Sequence, residues 1–538
     1  MPGAALTEST AATRAGVAAP GLRQDFAVAA AILAALLATS WLRPLWLPDE
    51  GRYVGVAWEM MRSGDWLVPT LNGLPFFHKP PLFYWITAAS MSLFGANEWA
   101  ARAAPMAGAW LGAFALFRLA RAWHGERAAR LAVIALLAQP LFFIGGQFAN
   151  LDMLVAGCIT ATVALLAHAS LSIEDGRPGR GALLGAYAMA ALGVLAKGLI
   201  GAVIPALVVL AWLAAMRRWR VLKALASLRG AALFLAIAAP WFVAMQRRFP
   251  DFLDYFFVQQ HFRRYLLGGF NNVQPIWFYP AALLLFSLPW LPWLWRALAA
   301  SPAPRDAGLR LLMRVWIATT LLFFSLPRSK PLGYILPAVP PLAFLLADAL
   351  LARGTPAPQA VRRWRASAGL AAVMSLAGVG LFALRPHESS RDVARALGAL
   401  RAPHEPVFML GRYDYDVPFY AHLIEPVFVA ADNEPSAEAG RRDGWRSELA
   451  DAARFAPASA PPLIDHAALR AGLCRATPGW VLGPAAAAAA YPFLAQADAV
   501  ASHAGQTLWR IDAAQPAMGL SCAPMPGSAP TLDARASP

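Results

Sequence analysis

The chain has 538 residues, of which 58% are hydrophobic and only 14% charged. Soluble domains carry about 25% charged residues, so this composition excludes a string of ordinary soluble domains over most of the length. The net charge of +15 does not point to nucleic acid either, because the arginines fall in short clusters between apolar runs and form no basic face interleaved with exposed aromatics.

Residues 1–24 are rich in Ala, Ser and Thr and read as a disordered cytoplasmic N-terminus. The apolar run over 26–42 that follows reads as a signal anchor, not a removed signal peptide. A spanning helix needs about 20 mostly apolar residues. Spans are expected at 25–44, 100–120, 130–148, 153–172, 181–197, 199–216, 230–246, 276–296, 311–327, 334–352 and 367–384. With room for two more, the expectation is an all-α polytopic membrane protein of about 11–13 transmembrane helices plus interfacial helices. The transmembrane part runs over 25–385.

Orientation follows from arginine, which favours cytoplasmic loops. Arg118, Arg121, Arg127 and Arg130 bracket one loop; Arg217, Arg218, Arg220, Lys223 and Arg229 form the densest cluster; Arg353, Arg362, Arg363 and Arg365 come later. With the spans above, all of these fall on one side. The apolar segment 82–94 is short, and counting it as a span would reverse every later loop. It is therefore expected to be an interfacial or re-entrant helix, with Tyr84 and Trp85 at headgroup depth. The remaining polar segments then share the outer face: 48–81, 150–152, 197–198, 247–275, 327–333 and everything after 385.

That face collects the residues able to carry chemistry, and ionisable groups near lipid are functional candidates by default. Asp49, Glu50, Arg52 and Tyr53 follow the first span. Taken alone, Asp49 reads as a helix cap before it reads as a base. Lys79 precedes Pro80 and Pro81, which fix its backbone among aromatics and suit it to a phosphate group. Asp152 sits between two spans and needs either a function or a basic partner. Lys197 closes another outward span end. His261 and Arg264 lie in an aromatic, basic stretch suited to an anionic lipid, and Lys330 and Tyr334 form a short outward turn.

The pattern Pro48-Asp49-Glu50-x-Arg52-Tyr53, Gly64-Asp65-Trp66, Leu71-Asn72-Gly73, Lys79-Pro80-Pro81-Leu82-x-Tyr84-Trp85 and Gly95-x-Asn97-Glu98-x-x-x-Arg102 resembles the lipid A aminoarabinose transferase (undecaprenyl phosphate–aminoarabinose transferase) family, GT-C proteins related to protein O-mannosyltransferases. Further matches are Leu151-Asp152-Met153, Ala196-Lys197-Gly198, Tyr255-Phe256-Phe257-Val258 with His261-Phe262, and Ser329-Lys330 with Tyr334-Ile335-Leu336-Pro337. They cover about 45–345, and Pro418-Phe419-Tyr420 resembles a later family motif. The resemblance implies a GT-C fold that moves a sugar from a polyprenyl-phosphate carrier to lipid A or another envelope acceptor at the periplasmic side of the inner membrane. It makes Asp49 the catalytic carboxylate and Asp152 the second essential acid, with Lys79, Arg264 and Tyr334 on the carrier phosphate. Glu50, Arg52, Tyr53, Lys197, His261 and Lys330 complete the expected substrate contacts. The chain departs from the family in having His78 where an acidic residue is frequent and Gln259 where a histidine is frequent. No cofactor is assigned; a divalent metal stays open, with His78 and His261 as its candidate ligands.

A competing class is a transporter or flippase for an amphiphilic anion. It calls for sites near the bilayer midplane and repeated halves, and no internal repeat stands out. Residues 386–524 are less apolar and are expected to form a small periplasmic α/β domain, with strands near 406–410, 426–430 and 478–483 and a helix near 416–421. A disulfide between Cys474 and Cys522 is chemically allowed in that compartment, and the sequence does not decide it. Residues 525–538 read as a disordered tail.

Overall fold

The computed structural model describes residues 22–263, 272–299, 307–352, 354–385, 389–430, 444–456, 463–475, 478–512, 520 and 522. The expectations for 1–21 and for the tail after 522 lie outside these residues.

After α1 (Leu22–Leu37) the chain turns into α2 (Asp49–Ser63), a half-polar helix closed by Gly64 at φ 74°. Glycine meets no Cβ penalty in that left-handed position. The hairpin β1–β2 (Thr70–Leu71, Leu74–Pro75) turns on Asn72 and Gly73, at φ 53° and 75°. The apolar segment expected to be interfacial is α3 (Leu82–Phe94), a helix of 13 residues, too short for a full span. The bundle continues with α4 (Ala103–His124), α5 (Glu126–Ala138), α6 (Leu151–Glu174), α7 (Arg180–Lys197), α8 (Ile200–Ala215), the short α9 (Trp219–Leu225) and α10 (Leu228–Arg248). Later come α11 (Phe278–Phe286), α12 (Leu291–Ala299), α13 (Ala307–Ser325), α14 (Val339–Leu351) and α15 (Pro358–Ala383).

Among the described residues, six helical segments are long and apolar enough to cross a membrane: α4, α6, α10, α13, Leu332–Leu351 and α15. The pair α11 and α12, bent by 72°, makes up to seven. The chain is a multi-pass membrane protein. The expected spans at 25–44, 130–148, 181–197 and 199–216 are occupied by α1, α5, α7 and α8, helices of 16, 13, 18 and 16 residues. The expected span at 130–148 is broken, with Gln139 extended ahead of Pro140. The bundle is drawn tight by glycines. A Cβ on Gly157 of α6 would lie 2.1 Å from the Gly108 carbonyl oxygen of α4, and one on Gly201 of α8 would lie 2.2 Å from the Gly193 backbone of α7. Close backbone approach of this kind is how helices associate where lipid removes the hydrophobic driving force.

The C-terminal layer is a six-stranded sheet in the order β5-β4-β3-β6-β8-β7, formed by β3 (Val407–Leu410), β4 (Phe428–Ala430), β5 (Leu463–Ile464), β6 (Gly479–Pro484), β7 (Asp498–His503) and β8 (Gln506–Ile511). β3, β4, β5 and β6 run parallel, with Phe408 opposite both Phe428 and Val481, while β7 and β8 add antiparallel. Helices α16 (Arg391–Leu400), α17 (Trp445–Ala453) and α18 (His466–Arg475) complete the layer. Cys474 and Cys522 form a disulfide with Cα atoms 5.6 Å apart. Three of the strands match the sequence expectation; the β7–β8 hairpin and β5 were not expected.

This layer is seated on α2 and the first hairpin. The Asn72 side chain accepts from Val427 N at 2.8 Å and donates to Val427 O at 2.9 Å. Trp58 donates its indole N–H to Leu423 O at 2.8 Å, and the Tyr420 hydroxyl accepts from Leu45 N at 2.8 Å. Bonds from separated parts of both layers converge here, so the sheet is docked along a line and not hinged at a point.

Candidate active site

The site is built outward from a buried carboxylate. Glu50, fully enclosed in the first turn of α2, accepts on both oxygens from the guanidinium of Arg102, at 2.9 and 3.1 Å, and pairs with Arg43. Trp46 N and Ala149 N add 2.9 and 2.7 Å hydrogen bonds. Burial would push this carboxyl up, but the two arginines outweigh it and hold the carboxyl down at about 2. Arg102 spends its remaining donors on the carbonyls of Ser40, Arg43 and Pro44, and Arg43 reaches Gln147 O at 2.7 Å. Glu50, expected from sequence to touch substrate, is instead an internal anchor, because both of its oxygens are filled and none of its surface is open. It ties the start of α2 to the loop that leads into α6.

That tie sets two groups of candidate residues. The first lies on α2. Asp49, with 42% of its side chain exposed, pairs with Arg52 one turn on, and Arg52 also pairs with the buried Glu448 of α17. Glu448 accepts in turn from the Tyr415 hydroxyl at 2.6 Å. The Arg52 guanidinium lies 5.3 Å from the Tyr53 ring centre and 5.6 Å from that of Tyr415. Asp49 is thus a carboxylate with one face on an immobilised cation and another toward the outside.

The second group lies where α6 and α7 meet the Leu332–Ala338 turn. Asn150 caps α6 through Asp152 N, at 3.1 Å. Asp152, 8% exposed, pairs with Lys197 in the last turn of α7. The Lys197 ammonium sits over the Tyr334 ring, 4.3 Å from its centre. Gly333 closes the group, for a Cβ there would fall 2.2 Å from Asp152 Oδ2. Asp152, Lys197 and Tyr334, far apart in sequence, are one contact cluster. Of the two readings open for Asp152 from sequence, a function or a basic partner, the structure supplies the partner, Lys197.

The other expected residues are placed differently. Lys79 is half-buried beside the strap that ends in Pro80 and Pro81, and the His78 ring stacks on Phe76 at 4.4 Å. Lys330 is 4% exposed and donates to Gln274 O at 2.9 Å and to Pro327 O, so its ammonium ties a loop together. Arg264 and the His261 side chain lie outside the described residues. Among the described residues no group of three His, Cys, Asp or Glu side chains could hold a metal ion.

Residues 78–243 match the family model for dolichyl-phosphate-mannose-protein mannosyltransferase. An undecaprenyl phosphate-alpha-4-amino-4-deoxy-L-arabinose arabinosyl transferase of Sodalis glossinidius is 38% identical over 312 residues, 57% of this chain and 55% of the relative. The transferase of the same name from an Enterobacter strain is 32% identical over 367 residues, 66% of each chain. The crystal structure of ArnT from Cupriavidus metallidurans bound to undecaprenyl phosphate superposes with a TM-score of 0.77 at 24% identity, covering 91% of this chain and 98% of that one. The chain belongs to the undecaprenyl phosphate–aminoarabinose transferase family. Its fold is GT-C: the Archaeoglobus fulgidus oligosaccharyltransferase superposes as well, with a TM-score of 0.50 at 15% identity over 75% of this chain and 64% of that one. Against the first of these transferase-family relatives the matched stretch is little more than half of the relative's length, 55%. The stretch matched by the mannosyltransferase model holds Lys79, Asp152 and Lys197, whereas Asp49 lies ahead of it and Glu448 beyond it.

The residues that sequence reasoning missed are Arg43, Glu448 and Tyr415, together with the anchoring role of Arg102.

Proposed function

We propose that this protein is a membrane glycosyltransferase that moves a sugar from a polyprenyl-phosphate carrier to a lipid A-type glycolipid, or another envelope acceptor, at the periplasmic face of the inner membrane. The observation that carries the reading is the position of the Asp152–Lys197–Tyr334 cluster. Asp152 lies in the first turn of one spanning helix and Lys197 in the last turn of its neighbour. Charges that serve transport are expected near the bilayer midplane; these stand at a membrane end, where a lipid-borne headgroup would present its phosphate and sugar. The relatives' names supply the carrier and sugar class, an undecaprenyl phosphate-linked aminoarabinose.

In the proposed reaction an acceptor oxygen attacks the anomeric carbon as the bond to the carrier phosphate breaks. The bonding pair leaves with the polyprenyl phosphate, and configuration inverts because one displacement occurs. Asp49, exposed beside Arg52, takes the proton of a hydroxyl acceptor or orients an acceptor that is already anionic. Lys79 and Arg264 offset the charge growing on the departing phosphate. Lys197, held by Asp152, fixes Tyr334 for the same group.

The test is transfer from a polyprenyl-phosphate sugar to lipid A by purified Asp49→Asn protein, with thermal unfolding in detergent as a fold control. Loss of transfer by about a hundred-fold or more, at unchanged unfolding temperature, is expected for a general base. Near-normal transfer would remove Asp49 from the mechanism.

A further inference from the structure

The densest arginine cluster of the chain plays no part in the proposed reaction. It lies at the other end of the bundle: α6 carries Asp152 in its first turn and Glu174 as its last residue, which at 1.5 Å per residue places the two about 33 Å apart. There Glu174, Arg217, Arg218, Trp219, Arg220 and Val221 line an open surface groove.

Three features give it chemistry. Arg218 is paired with Glu174, which fixes one wall. Arg217 and Arg220 are exposed, and among the described residues neither has a carboxylate within ion-pair distance. Arg217 is also held at φ 56°, a left-handed position that non-glycine residues seldom take, by N–H bonds from Arg217 and Arg218 to Ala214 O and Leu213 O at 2.9 Å. Trp219, 53% exposed, completes the mouth. A tryptophan flanked by arginines is the composition of a membrane–water interface.

The lipid side is equally specific. On α8, Val203, Leu207 and Leu210 are 38%, 37% and 45% exposed and recur at i, i+4 and i+7, so they form one apolar stripe. α8 ends at Ala215 and Arg217 follows in the turn after it, so the end of the apolar stripe and the groove with its two uncompensated guanidiniums are neighbours along the chain, and guanidiniums match phosphate oxygens bidentately.

We propose that this groove binds the phosphodiester headgroup of an anionic glycerophospholipid, with an acyl chain along the Val203–Leu207–Leu210 stripe. The site is separate from the candidate active site and holds a resident lipid rather than a substrate. It anchors the turn between α8 and α9 in one leaflet.

The experiment exchanges the purified full-length protein into mixed micelles of equal phosphatidylglycerol and phosphatidylcholine, then measures retained lipid by native mass spectrometry. Wild type is expected to retain phosphatidylglycerol preferentially. The double variant Arg217→Gln/Arg220→Gln should lose that preference by roughly ten- to thirty-fold, the effect of removing two interfacial charges. The charge-preserving Arg217→Lys/Arg220→Lys should keep most of it. Leu207→Ser/Leu210→Ser should weaken phosphatidylglycerol retention, and millimolar inorganic phosphate should fail to displace the lipid. Equal lipid ratios in wild type and the glutamine variant, or loss in the lysine variant as well, would overturn the proposal. So would displacement by inorganic phosphate with no effect of the leucine changes, because the site would then belong to a soluble anion.

Discussion

Two buried carboxyls respond to acid in opposite ways, and each can be followed separately. Glu50 is held at about 2 by Arg102 and Arg43 against its burial. Its folded value is depressed, so its contribution is complete above the unfolded carboxyl value and is lost only as pH falls toward 2. Glu50→Gln should therefore destabilise the protein by about 3–5 kcal/mol throughout pH 5–8, since it leaves two buried guanidiniums without their counter-charge; chemical unfolding in detergent at several pH values measures this. Asp416 is the reverse. Burial, then the neighbouring Asp414, push it up to about 7, although Ser389 Oγ and Ser390 N donate to it at 2.8 and 2.9 Å. Asp414 faces it with Arg412 paired at 2.6 Å and shifts the same way. A raised carboxyl favours the folded state at low pH and loses that contribution as pH rises toward 7. Unfolding temperature should climb on going from pH 7.5 to 5.5, and Asp416→Asn should flatten the slope. An equal slope in the variant would assign the effect elsewhere.

Among elements, the first hairpin is the one whose small size hides its role. Glu59 accepts from Asn72 N at 2.5 Å and Gly73 N at 3.0 Å, fixing the turn on α2. Asn72 then grips Val427 with two hydrogen bonds, and a Cβ on Gly73 would stand 2.7 Å from the Pro426 ring. Asn72→Ala removes both bonds, worth about 1–3 kcal/mol together. It should make the linker before α16 more sensitive to limited proteolysis while leaving the spanning helices intact; an unchanged cleavage rate would show that the other dock points suffice. β3, β4 and β6 were visible in the sequence, because buried parallel strands are short apolar runs, whereas the hairpin at Asn72 and Gly73 was not read from it. β7 was not: it is an edge strand whose Asp498, Ala499 and Val500 are exposed and carry no apolar run. The grip of Arg43 and Arg102 on Glu50 was equally hidden, because counting arginines by loop treats each as a solvated charge. The bonds of the Lys330 ammonium were hidden for a related reason: nothing in Ser-Lys-Pro tells that it meets two backbone carbonyls. By contrast, that Asp152 needed either a function or a basic partner followed from the cost of a lone carboxylate beside lipid; that it has a partner, and that the partner is Lys197, was not legible in the sequence.

For the whole molecule, the proposed orientation makes a covalent prediction. Cys474 and Cys522 are joined, and the third cysteine, Cys158, is buried inside α6. Disulfides persist in the periplasm and are rare in the cytoplasm. Native membranes should therefore yield a protein with no thiol reactive to a membrane-impermeant maleimide until it is reduced, after which two sites should label. Labelling before reduction would place the C-terminal layer on the other side.

Arg52 gives the two layers a shared fate. Its guanidinium is divided between Asp49, on the bundle side, and Glu448, which belongs to the sheet layer. The partner of the proposed base is thus itself positioned by a residue almost 400 positions later in the chain. Neither layer can be exchanged between relatives as an independent module: a chimera that joins these helices to a foreign tail without an acid in the place of Glu448 would return Arg52 wholly to Asp49. Such a hybrid should insert and fold its helices, yet inherit a muted carboxylate.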